Sequence, residues 1–353
     1  MNIQTVKFNN ISFINITNLG ELEIKYLKKD LGFSLLHIED YINRTQSSKI
    51  EITKDYALIV LDIPSFCQNH HNGHNNNKTD QKKSKSPIDS AINISKATLS
   101  YVPFPHFASH DKIHDKKRKI FSNQVDFFIG KDYLVVLHDG SPLPINNIFS
   151  LCQKTLHARN EFLGQGPVYL AYRIIDALVD TCFPIVNNLS NMIDKIDKEL
   201  EERESDEKIL EDISITRRNI VVFHTLIKPI ISLFKHLKEG HYKSLNGIIQ
   251  PLWGNVLDHL QIIWERVEDN RELIEGISES NESFLSSKTN KVIKILTVFS
   301  AIVLPLNLIA SIYGMNIQGL PFAQNVSSFA ILLIIMFTIA GSMLIVFKLK
   351  RWF

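Results

Sequence analysis

The sequence predicts an α/β domain followed by a long α-helical stalk and two C-terminal transmembrane helices. Short apolar runs typical of buried strands are confined to roughly the first 165 residues. Heptad-spaced apolar positions follow, and two apolar segments of about 20 residues come last. The average composition conceals this division, because 44% hydrophobic residues and a formal net charge of +2 are ordinary for a globular protein.

Residues 1–165 have the pattern of a small α/β domain. The run 56–63 is apolar and partly β-branched, and it is followed by Pro64, so we expect a buried strand that stops at the proline. Residues 125–130 and 133–138 are two further strand-like runs. The Gly-Lys-Asp sequence between them predicts a hairpin.

A polar insertion occupies residues 68–96 of this domain. Its few apolar residues cannot offset the entropy of ordering, so the sequence predicts a flexible segment. His70, His71 and His74 are close enough in sequence to share a transition metal. A flexible loop holds no fixed coordination geometry, so we do not count these histidines as a site.

Residues 166–290 predict a helical domain. From Ile175 to Leu200 the apolar residues recur at spacings of three and four, and Pro184 is expected to bend this helix. A second helix over about 208–237 would complete an antiparallel pair.

A third helix is expected to begin just after Gly254 and to run without interruption into the membrane. Asn270 and Asn281 replace apolar residues on its heptad-like stripe. Amides at such positions fix the register between identical helices or line a wet lumen. Both interpretations require self-association.

Residues 291–353 predict a membrane domain with spans at about 292–312 and 329–347, each close to the ~20 residues that cross a bilayer. Basic residues flank both spans on one side, whereas the loop 314–328 carries no charge. These are Lys288, Lys291, Lys294, Lys348, Lys350 and Arg351. The positive-inside rule therefore predicts a multi-pass protein of the inner (plasma) membrane, in contact with lipid, with both termini in the cytoplasm.

Gly314, Met315 and Asn316 stand where the first span gives way to the loop. A helix-breaking glycine and an uncharged amide at the mouth of a membrane segment predict an ion port.

Several motifs of the last segment match, in order and spacing, those of a known family. They are Thr289-Asn290, Leu296-Thr297, Pro305-Leu306, Ile312-Tyr313-Gly314-Met315-Asn316 and the basic C-terminus. With them the chain resembles the CorA family of divalent-cation transporters. The resemblance implies a funnel-shaped homopentamer with a large cytoplasmic domain and a pore made from five copies of the first transmembrane helix.

The resemblance also assigns roles to individual positions. Five copies of Asn316, with the carbonyls of Gly314 beside them, would hold a cation through its first-shell waters, which suits the slowly dehydrating Mg²⁺. The positions that match the family's pore are Asn290, Ile293, Leu296, Leu304, Asn307 and Ser311. The apolar ones would form a dewetting gate and the polar ones relay points. Residues of these types also pack between transmembrane helices, so this alternative stays open.

The function implied is passive inward transport of hydrated divalent cations, most directly Mg²⁺ and also Co²⁺ or Ni²⁺, without a cofactor. Residues 314–321 also resemble the branch that includes zinc transporters, so zinc transport is the alternative, and a non-conducting membrane scaffold is a third. Regulatory Mg²⁺ in the family is held by carboxylates, one near the start of the long helix. Asn255 stands at the nearest match, which leaves Asp258 as the candidate ligand.

Other function classes find no support in the sequence. It contains no Walker loop, GxSxG, HExxH or dinucleotide fingerprint, so we expect no enzyme and no ATP-driven pump. The near-zero net charge gives no reason to expect a nucleic-acid partner.

Overall fold

The computed structural model describes most of the chain. The described residues are 2–43, 47–66, 118–140, 142–202, 206–245, 249–315, 326–350 and 352. They form two compact units, one made of residues 1–196 with 211–272 and the other of 197–210 with 273–353. The polar insertion and its three histidines lie outside the described residues.

A six-stranded mixed sheet forms the centre of the first unit. Its strands are β1 (Ile3–Phe8), β2 (Ile11–Thr17), β3 (Lys49–Ile52), β4 (Ala57–Phe66), β5 (Ile120–Ile129) and β6 (Tyr133–His138). They lie in the order β1-β2-β6-β5-β4-β3. The β2 and β6 strands are parallel, and every other neighbouring pair is antiparallel.

The predicted hairpin is confirmed as β5 and β6, but the predicted end of the buried strand is wrong. β4 continues through Pro64, which pairs with Ser122 of β5. β3 pairs only with residues 57–60 of β4. Beyond residue 60, the edge of β4 that faces away from β5 is therefore not paired with β3. A proline has no N–H to donate, and it is tolerated where one side of a strand needs no donor.

Helices cover both faces of this sheet. α1 (Glu21–Lys29) and α2 (Leu35–Asn43) lie on one face, where the Phe33 ring stacks on Phe128 with centroids 4.4 Å apart. On the other face, Phe149 of α3 (Leu143–Lys154) contacts Phe13 of β2 edge to face at 5.1 Å. A short helix, α4 (Leu156–Leu163), follows α3.

The predicted heptad stripe is divided between two helices. These are α5 (Pro167–Asp180) and α6 (Cys182–Glu202), with Thr181 between them. Pro184 therefore does not bend one long helix but lies in the first turn of α6, where a missing N–H removes no helical hydrogen bond.

The last three helices are long. They are α7 (Glu207–Lys238), α8 (Gln250–Tyr313) and α9 (Val326–Leu349), and α8 alone has 64 residues. The prediction that α8 runs unbroken to the end of the first span is confirmed. Its start is earlier than predicted, because Gly254 lies inside it, close to the Lys238 side chain of α7.

The amides on the α8 stripe face the interior of a single chain. Asn270 is 4% exposed and Asn281 5% exposed. The Ser190 hydroxyl of α6 donates to Asn270 Oδ1 over 3.0 Å. The expectation that these amides require self-association is therefore wrong, because both amides are buried within a single chain. The sequence pattern cannot distinguish packing within one chain from packing between copies, since both arrangements place polar residues at heptad positions.

Candidate functional site

Three described helices are long and apolar enough to cross a membrane. They are α7, α8 and residues 329–349 of α9. The chain buries 39% of the apolar window of α7, compared with 6% of the window of α8 and none of that of α9. α7 is apolar because it contributes to the core of the first unit, whereas the apolar parts of α8 and α9 have no such cover.

The residues predicted to line a pore share one side of α8. At ~100° per residue they fall within about 120° of the helix circumference. They are Asn290, Ile293, Leu296, Leu304, Asn307 and Ser311, and every one is exposed. Leu296 is 63% exposed and Leu304 70%, although both are leucines of a strongly apolar helix.

The opposite side of α8 is partly covered by the rest of the chain. Val298 is 2% exposed and lies about 140° around the helix from the middle of the exposed face. The partly buried positions cluster on the same side, at Ile302, Pro305, Leu306 and Ile309. In the span 292–312, the chain therefore leaves the side with the predicted pore positions open, and it covers the opposite side only in part, since Ile295 there is 54% exposed.

The uncharged polar residues of this span all lie on the open face. They are Thr297, Ser300, Asn307 and Ser311, and residues 292–312 are described throughout. The Thr297 hydroxyl donates to the Ile293 carbonyl over 2.8 Å, which satisfies its hydrogen inside the helix. The predicted pore-lining set omitted Thr297 and Ser300, and continuing the 3.6-residue period along the span would have found both.

A groove of about 550 Å³ runs along this part of α8. Leu296, Thr297, Ser300, Ala301, Leu304 and Pro305 line it. The helix continues through Pro305, which has no N–H to donate to the carbonyl of Ala301. A backbone acceptor without its helical donor thus lies beside the hydroxyls of the groove.

The end of α8 is tightly wound at the predicted mouth. Gly314 N–H donates to the Ala310 carbonyl over 2.9 Å, and Met315 N–H to the Ile312 carbonyl over 3.3 Å. A Cβ on Gly314 would lie 3.1 Å from the Ala310 oxygen, so glycine relieves a close approach here. Met315 is 51% exposed, and Asn316 lies outside the described residues.

α9 has the features of a span with an interfacial end. Its partly buried positions recur every three or four residues. They include Leu332, Met336, Ile339, Met343 and Phe347. Beyond the helix, Trp352 N–H donates to the Phe347 carbonyl over 3.0 Å and the two rings lie 5.6 Å apart. Aromatic residues of this kind anchor a helix at a membrane surface.

Asp258, the predicted regulatory ligand, points outward from the first part of α8. Its side chain is 62% exposed and lies 3.6 Å from Lys238 Nζ of α7. Asn255, one turn earlier, interacts with the Tyr172 side chain of α5. A lysine partner and a neutral amide do not make a magnesium site within one chain, because Mg²⁺ prefers carboxylate oxygens and water.

A cluster that the sequence analysis missed lies beside it. His259 Nδ1 is 3.3 Å from Asp180 Oδ1 and 3.8 Å from Asp176 Oδ1. Burial, and then the charge of Asp180, raise the pKa of Asp176. The two aspartates are four residues apart on α5, which places them on one helix face, but only the fold brings His259 to them. Among the described residues, no group of three or more His, Cys, Asp or Glu side chains has the arrangement of a metal centre.

A family description now accounts for the long apolar helices and their exposed polar face. The family model described as CorA-like Mg2+ transporter protein matches residues 94–351, which is more than half of the chain. The chain belongs to the CorA family.

Relatives with known names span nearly the whole chain. The cobalt/magnesium transport protein CorA of Thermotoga maritima is 25% identical over 97% of this chain and 83% of its own length. The complete structure of the CorA magnesium transporter from Methanocaldococcus jannaschii matches with a TM-score of 0.71 and 17% identity, covering 99% of this chain and 94% of that one. The structure of the ZntB cytoplasmic domain from Vibrio parahaemolyticus matches with a TM-score of 0.51 and 9% identity, covering 79% of this chain and 90% of that one. These two structural likenesses establish the fold.

Membership of the CorA family makes this protein a divalent metal cation transporter of the membrane rather than an enzyme. The sequence resemblance to this family is thereby confirmed. The mixed sheet and long helices of this chain are those expected for the CorA fold.

Proposed function

We propose that this CorA-family member conducts hydrated Mg²⁺, and also Co²⁺ or Ni²⁺, passively into the cytoplasm through a homopentameric pore lined by α8. One observation carries the proposal. The open face of α8 holds every uncharged polar residue of the span together with the predicted pore positions. Asn307 and Ser311 would be unfavourable on a lipid-facing surface, because polar groups in hydrocarbon lack hydrogen-bond partners.

The mouth of the proposed pore is formed by Gly314, Met315 and Asn316. Mg²⁺ dehydrates reluctantly, so a ring of neutral amides selects it by accepting hydrogen bonds from its bound waters. A ring of carboxylates would bind the ion more strongly and release it more slowly. Five Asn316 amides with five Gly314 carbonyls would bind the hydrated ion weakly enough for it to move on into the pore.

The inner part of the pore would combine a gate with polar stations. Exposed Ile293, Leu296 and Leu304 on the open face would close the path by dewetting. Asn307 and Ser311 would receive the hydrated ion above the gate, and Asn290 would receive it at the inner end.

The proposed topology follows from the charges at the ends of the spans. Lys291 and Lys348 support an inner boundary at these two residues, so residues 1–290 and the C-terminus would lie in the cytoplasm. An inside-negative potential then drives entry, at ~2.3 kcal/mol per charge per 100 mV. Regulation by Mg²⁺ through Asp258 would require the ion to displace Lys238 from its carboxylate.

Relatives leave two cations in competition. The named relatives are cobalt and magnesium transporters, whereas the resemblance of residues 314–321 to the branch that includes zinc transporters keeps zinc as the alternative. Uptake of Mg²⁺, Co²⁺, Ni²⁺ and Zn²⁺ into vesicles containing the purified protein separates them. We expect Mg²⁺ uptake to exceed Zn²⁺ uptake without a proton gradient, and a dependence on that gradient would contradict passive conduction.

The same vesicles test the pore mouth. Asn316→Ala should reduce Mg²⁺ uptake at least tenfold, because the ring loses its acceptors, and Gln318→Ala in the same loop is the matched control. Native mass spectrometry should give five copies for both variants. Unchanged uptake by Asn316→Ala would contradict a mouth formed by this amide, and the absence of uptake into wild-type vesicles would favour a non-conducting scaffold.

A further inference from the structure

Asp126 of β5 is a buried carboxyl group with only a neutral hydrogen-bond donor. It is 1% exposed, and among the described residues its donor is the Gln124 side-chain amide, 2.9 Å from Oδ1. Burial, and to a smaller degree the charge of Asp62, raise the pKa of Asp126 to about 7.

Charged groups of β3, β4 and α2 act on Asp126, whereas its paired residue in β6 is the apolar Leu137. Asp62 of β4 is its diagonal neighbour, because Val60 pairs with Asp126 and Asp62 pairs with Gln124. Lys49 of β3 and Asp40 of α2 also act on the charge of Asp126.

The same groups hold α2 on the sheet. Lys49 Nζ lies 3.5 Å from Asp40 Oδ2 and also contacts Glu51 of β3. His37 of α2 bridges the two elements, with Nε2 2.8 Å from Glu51 Oε2 and Nδ1 2.8 Å from the Tyr56 hydroxyl. The attachment of α2 therefore combines these ionisable contacts with the burial of Ile38 in the apolar core of this face.

We propose that Asp126 and Asp62 form a proton-responsive pair that controls how firmly α2 and β3 are held on the sheet. With Asp126 protonated, Asp126 adds no charge beside Asp62, and Lys49 stays with Asp40 and Glu51. Loss of the proton places a second carboxylate beside Asp62 away from water. That charge attracts Lys49, weakens its contact with Asp40, and is best relieved when α2 loosens and water enters.

The magnitude follows from the two states of the carboxyl. In the closed form Asp126 titrates at about 7, and in an open, solvated form it would titrate near its usual 3.8. The open form is therefore ionised at both pH 6 and pH 8. The closed form is mostly protonated at pH 6 and mostly ionised at pH 8, so opening becomes up to about tenfold more favourable across this range.

Hydrogen exchange of the full chain in lipid nanodiscs tests this proposal. After correction for intrinsic base-catalysed exchange, amides of α2 and β3 should exchange up to about tenfold faster at pH 8 than at pH 6. Asp126→Asn keeps the acceptor for Gln124 without the charge, so its α2 amides should exchange slowly at both pH values. Asp132→Asn, at an exposed aspartate of the β5–β6 turn, is the matched control and should keep the wild-type response.

A second variant covers the case in which Asp126→Asn folds poorly. Asp62→Asn removes the neighbouring charge, so the midpoint of the exchange transition should move to lower pH. The proposal is overturned by equal α2 exchange at pH 6 and pH 8 in the wild type. A response that survives Asp126→Asn, or one that Asp62→Asn leaves at the same midpoint, also overturns it.

Discussion

His138 should make the first unit sensitive to acid. The side chain is fully buried at the end of β6. Its Nδ1 accepts a hydrogen bond from the Gly140 N–H over 2.9 Å, so the neutral ring carries its proton on Nε2, which lies 2.8 Å from Asn15 Oδ1. Protonation of Nδ1 would make it a donor that faces the Gly140 N–H, so two donors would meet. Burial lowers the pKa of His138 to about 4.

The expected magnitude follows from linkage. In the unfolded chain the imidazole titrates near 6.5, and in the folded chain at about 4. Between these values the unfolded state binds the proton and the folded state does not. The contribution of His138 to stability is therefore fully present above pH 6.5 and is lost as the pH falls, amounting to about 2 kcal/mol lost by pH 5.

The measurement compares the wild type with His138→Gln. Glutamine offers one donor and one acceptor, as neutral histidine does, but it does not titrate between pH 5 and 8. Urea unfolding in detergent, followed by tryptophan fluorescence, gives the difference in unfolding free energy at each pH. Because other titrating groups, Asp126 among them, are common to both proteins, their contributions cancel in the difference.

We expect the stability advantage of the wild type over His138→Gln to shrink by about 2 kcal/mol between pH 8 and pH 5. An advantage that stays constant across this range, or that grows towards acid, would refute the assignment of a neutral buried imidazole.

Two further predictions concern the core and the open face of α8. Asn219 is 1% exposed, accepts from Ile120 N–H over 3.0 Å and donates to the Arg118 carbonyl over 2.7 Å. Asn219→Ala leaves both backbone groups without this partner. We therefore expect the unfolding free energy, measured with urea, to fall by about 2–4 kcal/mol. A fall below about 1 kcal/mol would count against this role. Leu304→Ser should wet the proposed gate and raise resting Mg²⁺ flux into vesicles several-fold. Ile295→Ser, about 180° around the helix and 54% exposed, should leave the flux within about twofold, and equal effects of the two variants would argue against a gate at Leu304.

Local sequence signals predicted the elements of the fold better than their arrangement. The β5–β6 hairpin and the uninterrupted α8 follow from short-range pattern and turn chemistry. The parallel pairing of β2 with β6 joins segments more than 100 residues apart, and no local pattern encodes it. Pro64 was misjudged for the same reason, because its tolerance depends on where β3 stops pairing with β4.

The candidate site shows the same division. The resemblance to the family selected positions that share the open face, and helical periodicity could have added Ser300. Asn270 was interpreted wrongly, because a heptad stripe does not reveal whether its partner is another helix of the same chain or a second copy. Asp176 and His259 were missed because they are far apart in sequence and meet only when α5 packs beside α8.

Cysteine accessibility along α8 tests the central claim most directly. Cys152 and Cys182 are buried and burial raises the pKa of both thiols, so a Cys67→Ser background should react little with a water-soluble thiol reagent. In this background we predict that Ser300→Cys and Asn307→Cys are labelled in vesicles and that labelling blocks Mg²⁺ flux. Cysteines at the covered positions 302 and 309 should stay unlabelled. Labelling of the covered positions, or undiminished flux with 300 and 307 fully modified, would contradict a pore lined by the open face of α8.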